Sequence, residues 1–194
     1  METNLCVAGF GGQGIMTLGK LLASAACDST DKFITFYPSY GAEQRGGTAN
    51  CFVNISDEPI GTPIGDVMDD LIVMNGPSLH KFLPKLKPGG HLFINSSIVT
   101  EAVSREDIQI AMAPVTELAL SMGNARVLNV IMLGVYLGFT KVVDPEIVWT
   151  AIEHKLSDRS ELLAVNRRAF DTGLEIGRSQ KIDLGLEKIR SDSC

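Results

Sequence analysis

Short apolar runs alternate with amphipathic stretches over the first part of the chain, and helical patterns alone fill the last part. Leu5-Cys6-Val7-Ala8 reads as a strand. The stretch from about Gly12 to Ala26 follows, with Ile15, Leu18, Leu21, Leu22 and Ala25 on one helical stripe. Phe33–Phe36 is a second strand. Ala49–Ile55 alternates, placing Ala49, Cys51, Val53 and Ile55 on one face and Asn50, Phe52 and Asn54 on the other, the pattern of a half-buried, antiparallel member of a sheet. Ser56–Gly65 carries two prolines and two glycines and reads as a loop. The wholly apolar run Leu71–Met74 suits a central parallel strand. A short helix around Ser78–Phe82, a turn at Pro88-Gly89-Gly90 and strands at His91–Ile94 and Ile108–Met112 come next. Beyond Pro114 the pattern predicts helices over Val115–Met122, Ala125–Phe139, Pro145–Leu156 and Glu161–Ile176, with Asp144 capping the third and Ser157 or Asp158 the fourth. Strands alternating with helices predict a three-layer α/β/α fold on a mostly parallel, mixed sheet. Residues 1–180 form a single domain in this reading, and residues 181–194 a C-terminal tail.

The helix expected over Ala125–Phe139 has no polar face. Such a helix is buried in its own domain or becomes buried by assembly. Gly134 and Gly138, four apart, let another element approach closely. One chain of this size offers little material to cover both faces, which favours a subunit interface over a core helix.

The candidate chemistry begins where the first strand ends. Gly9, Gly11, Gly12 and Gly14 fall between that strand and the first helix, around Gln13. A helix N-terminus leaves backbone N–H groups and a positive dipole end free, so this corner is suited to an anion. The spacing also matches G-x-G-x-x-G, but the acid that holds a ribose is missing: the second strand ends in Tyr37-Pro38, and Asp31 precedes it. Lys20 lies two turns into the helix, too far for a phosphate-loop lysine. If the first two strands are parallel neighbours, the loop Tyr37–Thr48 faces the Gly-rich turn and brings Arg45 near the helix N-terminus. Arg45 then binds a phosphate or a carboxylate from outside the chain, or pairs with Glu43 and only shapes the loop. Tyr40 either caps a site or packs the loop. Gln13 either offers its amide at the helix start or is simply exposed. His80, His91 and His154 share no spacing with other ligands and are assigned no role.

Composition narrows the class. The chain has 194 residues and a formal net charge of −6, a balance that argues against nonspecific nucleic-acid binding. The longest apolar stretch, Val127–Phe139, contains Asn129 and is too short to span a bilayer. With a strand directly at the N-terminus and no signal peptide, a cytoplasmic protein is expected. Cys6, Cys27, Cys51 and Cys194 are scattered, without the close spacing of a zinc or iron–sulfur site. Cys6 and Cys51 read as small core residues.

Four stretches together resemble one family. They are G-F-G-G-Q-G at 9–14, Y-P-S-Y-G-A-E-Q-R-G-G-T-A-N at 37–50, and the later stretches P-I-G-T-P-I at 59–64 and G-N-A-R-V-L-N-V-I-M-L-G at 123–134. They are similar to the gamma subunit of 2-oxoacid:ferredoxin oxidoreductases, over about Asn4 to Gly177. The S-Y-G-A-E-Q-R version looks most like subunits for 2-oxoglutarate or branched-chain oxoacids; indolepyruvate enzymes share the domain. The resemblance implies a heteromeric complex with alpha and beta subunits, a ferredoxin-like delta subunit as a further candidate, and ferredoxin as the acceptor. Other subunits hold thiamine diphosphate, magnesium and [4Fe–4S] clusters. The complex decarboxylates a 2-oxoacid, passes electrons to ferredoxin and delivers the acyl group to coenzyme A. No cofactor is expected on this chain alone: the G-D-G pattern of thiamine diphosphate sites is missing, since Gly65-Asp66 is followed by Val67. The anion or interface contacts fall to Gly9, Gly11, Gly12, Gln13, Gly14, Tyr40 and Arg45. A stand-alone nucleotide-binding protein and a purely structural assembly module are the alternatives.

Overall fold

Six strands form one mixed sheet, β1 (Glu2–Phe10), β2 (Phe33–Tyr40), β3 (Thr48–Ser56), β4 (Met68–Val73), β5 (Leu86–Asn95) and β6 (Gln109–Ala113), in the order β2-β3-β1-β4-β5-β6. The computed structural model describes residues 2–29, 31–40 and 48–191, with side chains except at Tyr40 and from residue 182 on. β1, β4, β5 and β6 run parallel, and β3 is antiparallel to both β1 and β2. The condition that β1 and β2 be parallel neighbours is therefore not met: β3 lies between them. Because β3 reverses twice, β2 still runs in the direction of β1, and both end at the same edge. Tyr37–Tyr40, expected to open the loop, is strand instead and pairs with Ala49–Phe52. Pro88-Gly89-Gly90 is not a turn between elements but an irregularity inside β5, where Gly89 takes a φ of 76° and the register to β4 shifts.

The helices are α1 (Ile15–Ser29), α2 (Gly76–Phe82), α3 (Val115–Ser121), α4 (Leu128–Thr140), α5 (Pro145–Lys155) and α6 (Leu163–Ser191). α1 starts three residues later than its pattern suggested, because Gly12 and Gly14 take positive φ values of 98° and 75° that a helix does not allow. Asp144 caps α5 by accepting from the Glu146 N–H. Neither Ser157 nor Asp158 caps α6; a 3-10 turn, Ser160–Leu162, leads into it instead. Alternation along the strands sorts two cores. Leu5, Val7, Cys51, Val53 and Ile72 face α1 and α3–α6, whereas Cys6, Ala8, Leu71 and Val73 face α2. Strands covered on both faces explain the unbroken apolar runs of β1 and β4.

α4 is corrected from interface to core. Its residues Asn129–Phe139 are all buried within this one chain. Tyr136 and Phe139 meet Phe93 of β5 edge-on, at 5.2 and 5.4 Å between ring centroids. α6 covers the other side, and it comes close because glycines meet glycines. A Cβ built at Gly134 would strike the Phe170 carbonyl and lie 3.0 Å from the Gly173 Cα, and one at Gly177 would strike the Val135 carbonyl. The close approach expected from Gly134 and Gly138 is thus real, but its partner belongs to the same chain.

Three buried groups make the fold sensitive to alkali, among them the Cys6 thiol, which burial pushes well up. Burial pushes the Cys51 thiol from 9.0 up to about 12, and Tyr136, buried against the Asp70 carboxylate, is raised well above 10.0. The unfolded chain loses these protons at lower pH than the folded one, so stability is complete below pH 9 and declines as pH rises above it. A urea midpoint that falls between pH 9 and 11 is the expected result, and a flat profile would refute the burial of these groups. Cys27, exposed, is the thiol among the described residues expected to react with a disulfide reagent in the native state.

Candidate functional site

The carboxyl edge of the parallel strands is where α1 leaves toward one face of the sheet and α2 toward the other. Ligands of open α/β sheets bind at such a switch point, in the crevice between the two strands. Here the strands are β1 and β4, and the Gln13 side chain bridges them. Its Oε1 accepts from the Phe10 N–H at 2.6 Å, and its Nε2 donates to the Met74 carbonyl at 3.0 Å. Gly9 allows this: a Cβ there would sit 2.6 Å from Gln13 Oε1 and 2.8 Å from Met74 Cβ. Gln13 is therefore neither a free amide nor an idle surface group. It closes the floor of the crevice that a dinucleotide pyrophosphate would need. Asp31 lies before β2, at the opposite edge.

The rest of the turn is open. Gly11 and Gly12 are exposed, and a Cβ built at Gly12 would meet nothing within 4 Å. Gly14 is packed on Asn129, which donates to the Gly14 carbonyl at 3.4 Å. The first turn of α1 carries no acidic side chain, so its amides have no internal anion. Tyr40 pairs with Ala49, and Ala49 with Gly9, so the backbone of Tyr40 lies two strands from the Gly-rich turn. Arg45 lies outside the described residues, as does the Tyr40 side chain; the two flanks of that segment, Tyr40 and Thr48, lie at this same edge. On the α2 face of the sheet, four buried side-chain atoms among the described residues have no hydrogen-bond partner: Thr35 Oγ1, Asn50 Oδ1, Asn75 Nδ2 and Ser78 Oγ. Asn75 Oδ1 caps α2 through the Ser78 N–H at 2.8 Å. Phe52 and Phe82 touch edge-on, and Asn50 and Ser78 each lie one step from that pair toward the carboxyl edge. Unsatisfied groups of this kind are rare in folded proteins.

A second polar cluster, at the opposite edge of the sheet, has no counterpart in the sequence reading. Asp70, 3% exposed, accepts from Tyr136 Oη at 2.8 Å and meets His91 Nδ1 at 2.7 Å. His91 is thus the partner of a buried carboxylate, not a histidine without a role. The only hint in the sequence is the Asp69-Asp70 pair just ahead of the apolar run Leu71–Val73. Removing the hydroxyl with Tyr136→Phe leaves Asp70 short of a donor and is expected to cost about 1–3 kcal/mol, read from urea unfolding. A wild-type midpoint would show the bond to contribute nothing.

Among the described residues, no cluster of three or more His, Cys, Asp or Glu side chains is placed to hold a metal ion, and no helix is long and apolar enough to cross a membrane. What the edge offers is backbone donors, glycine surface and unfilled polar groups, which suits docking of an anion or a partner more than bond chemistry.

Comparison decides the family. Residues 4–176 match the model described as pyruvate ferredoxin/flavodoxin oxidoreductase. The chain belongs to this family. It is 38% identical over 179 residues to the ketoisovalerate oxidoreductase subunit VorA of Methanothermobacter thermautotrophicus, covering 91% of this chain but 37% of VorA, so the chain spans about a third of that relative's length. It is 31% identical over 180 residues to the 2-oxoglutarate synthase subunit KorC of Methanocaldococcus jannaschii, covering 92% of this chain and 95% of KorC. The crystal structure of a keto/oxoacid ferredoxin oxidoreductase gamma subunit from Geobacter sulfurreducens superposes with a TM-score of 0.82 at 28% identity, covering 93% of this chain and 98% of that one. The fold is that of the gamma-type domain, as the resemblance implied.

Proposed function

We propose that this chain is the gamma subunit of a multi-subunit 2-oxoacid:ferredoxin oxidoreductase, inactive alone and required by the complex. The observation that carries the reading is the end-to-end match to a free-standing gamma subunit, 93% of one chain on 98% of the other. The complex oxidatively decarboxylates a 2-oxoacid, with 2-oxoglutarate or a branched-chain oxoacid favoured, to the acyl-coenzyme A, and ferredoxin takes the electrons. Alpha and beta subunits, with a ferredoxin-like delta subunit, supply thiamine diphosphate, magnesium and [4Fe–4S] clusters. The residues of this chain do not suit those groups: its described cysteines are apart, and no G-D-G pattern is present.

In this reading the carboxyl edge faces out of the chain. Gly9, Gly11, Gly12 and Gly14 with Gln13 form one corner of it, and Tyr40 and Arg45 are assigned to the same contacts. Arg45 holds an anion from outside, either a phosphate of coenzyme A or a carboxylate of a neighbouring subunit. Tagging the chain in its native host tests the assignment. Larger subunits carrying iron and thiamine diphosphate are expected to co-purify, and the eluate should turn over a branched-chain 2-oxoacid or 2-oxoglutarate from a panel. Recovery of the chain without such subunits, and without oxoacid-dependent activity, would overturn it.

A further inference from the structure

One cavity lies at the amino edge of the parallel strands, opposite the Gly-rich turn. It measures about 560 Å³ and is lined by the starts of β1 and β4, by β5 around His91, by the end of α4 and by Lys181 of α6. Asp70 and His91 belong to this lining. The Asp70 carboxylate accepts from the Tyr136 hydroxyl on one oxygen and meets His91 Nδ1 on the other. A carboxylate only accepts, so the ring proton of a neutral His91 sits on Nδ1. Nε2 then keeps its lone pair, with no hydrogen-bond partner among the described residues. It is an acceptor of fixed orientation, with the Asp70 charge on the other side of the ring. The His91 side chain is 32% exposed, so this acceptor is not sealed off from a ligand.

The charges of the lining are mixed and balanced. Asp69 pairs with Lys87 and accepts from the Asn4 N–H at 2.7 Å, and Lys32 pairs with Asp57 at 3.3 Å. That leaves Glu2 and Asp70 against Lys141 and Lys181, two of each sign. Lys181 and His91 approach the same ring, 5.8 and 5.4 Å from the Phe139 centroid, so a donor of the lining stands near its acceptor. Lys141 follows α4 in the left-handed conformation, with φ 58°, where the last carbonyls of the helix also favour a positive group. A lone anion would meet two carboxylates and the carboxyl end of a helix. A lone cation would meet two ammonium groups. A ligand that carries both charges on neighbouring atoms meets neither difficulty.

We infer that this cavity binds an α-amino acid with an uncharged side chain, its carboxylate on Lys141 and Lys181 and its ammonium on His91 Nε2. Phe139 and Val142 line the cavity as apolar groups for that side chain, and the volume lies in the range of small-molecule sites. The site is read from this chain's own side chains and stands independently of the subunit assignment.

NMR of the histidine rings tests it on the full-length chain, at about pH 8, above the usual titration range of an imidazole. The probes are L-valine, isovalerate, which lacks the ammonium, and isobutylamine, which lacks the carboxylate. L-valine is expected to shift the His91 ring signals saturably and to leave those of His80 and His154 in place. Isovalerate and isobutylamine should each bind at least about tenfold more weakly, because each loses a charge-assisted contact. The double variant Lys141→Asn/Lys181→Gln should lose about 100-fold in L-valine affinity, about tenfold for each ammonium. Both lysines are exposed, and asparagine tolerates the left-handed backbone at 141, so the variant should melt as wild type does. No His91 shift at ~20 mM L-valine, or unchanged L-valine affinity in the double variant, would overturn the site. Isovalerate binding as tightly as L-valine would overturn the ammonium contact, and isobutylamine doing so would overturn the carboxylate contact.

Discussion

Gly173→Val is expected to leave the chain unfolded or close to it. α4 and α6 cross with Gly134 and Gly138 against Gly173 and Gly177, and a Cβ at position 173 would strike the Ile131 carbonyl and approach the Gly134 Cα to 3.0 Å. The obstacles are backbone atoms, which cannot rotate away as a flexible side-chain end can. The helices must separate, and the separation opens contacts around Phe170 and Leu174 on α6 and around Ile131, Val135 and Phe139 on α4, all buried. Overpacking commonly costs about 1–3 kcal/mol and occasionally more. A branched side chain against two backbones belongs at the top of that range or above it, a large share of a total stability of about 5–15 kcal/mol. Gly173→Ala should show a graded version of the loss. Urea denaturation followed by circular dichroism checks both; a Gly173→Val chain with the wild-type midpoint would mean that the two helices do not pack as described.

Arg45→Ala carries the second large effect, and it falls on function instead of stability. Under the proposed assignment, Arg45 contacts an anion that does not belong to this chain. Losing a charge-assisted contact of about 1.5–3 kcal/mol corresponds to about 10- to 150-fold in affinity. If the anion is a coenzyme A phosphate, the apparent KM for coenzyme A of the assembled complex rises by that factor. If it is a carboxylate on another subunit, assembly weakens on size-exclusion chromatography while the intact fraction keeps normal coenzyme A kinetics. Arg45→Lys should recover only part of either loss, because an ammonium cannot make the planar two-point contact of a guanidinium. An assembled Arg45→Ala complex with wild-type kinetics would leave the residue a purely structural role.

The fold was legible where a local rule decides. Apolar runs marked β1 as a strand and β4 as a central one, alternation marked β3 as antiparallel, and Asp144 announced the start of α5. What local pattern does not carry is which elements meet. The insertion of β3 between β1 and β2 depends on hairpin pairing, and each strand looks the same whichever neighbour it has. For α4, the pattern showed that all sides are buried but not by what. The cover comes from α6, whose own apolar signal is diluted by Arg167, Arg168, Asp171 and Glu175 on its outer side. Gly173 and Gly177 were the available clue, a second pair of glycines four apart, matching Gly134 and Gly138.

At the site, the turn was legible and its contents were not. Four glycines before a helix predict a bare corner, but Gln13 folding back to join Phe10 and Met74 depends on β4 lying beside β1. The same limit hid the Asp70, Tyr136 and His91 cluster, whose members are 66 and 21 residues from the aspartate along the chain. It also hid the gathering of Lys141 and Lys181 around that cluster, each unremarked in its own segment.

The subunit assignment is tested most directly by omission. The partner subunits that co-purify with this chain would be assembled with and without it, and 2-oxoacid- and coenzyme A-dependent reduction of ferredoxin followed for each. The assignment predicts that turnover is lost without this chain and returns when purified chain is added back. Equal ferredoxin reduction in its absence would contradict it.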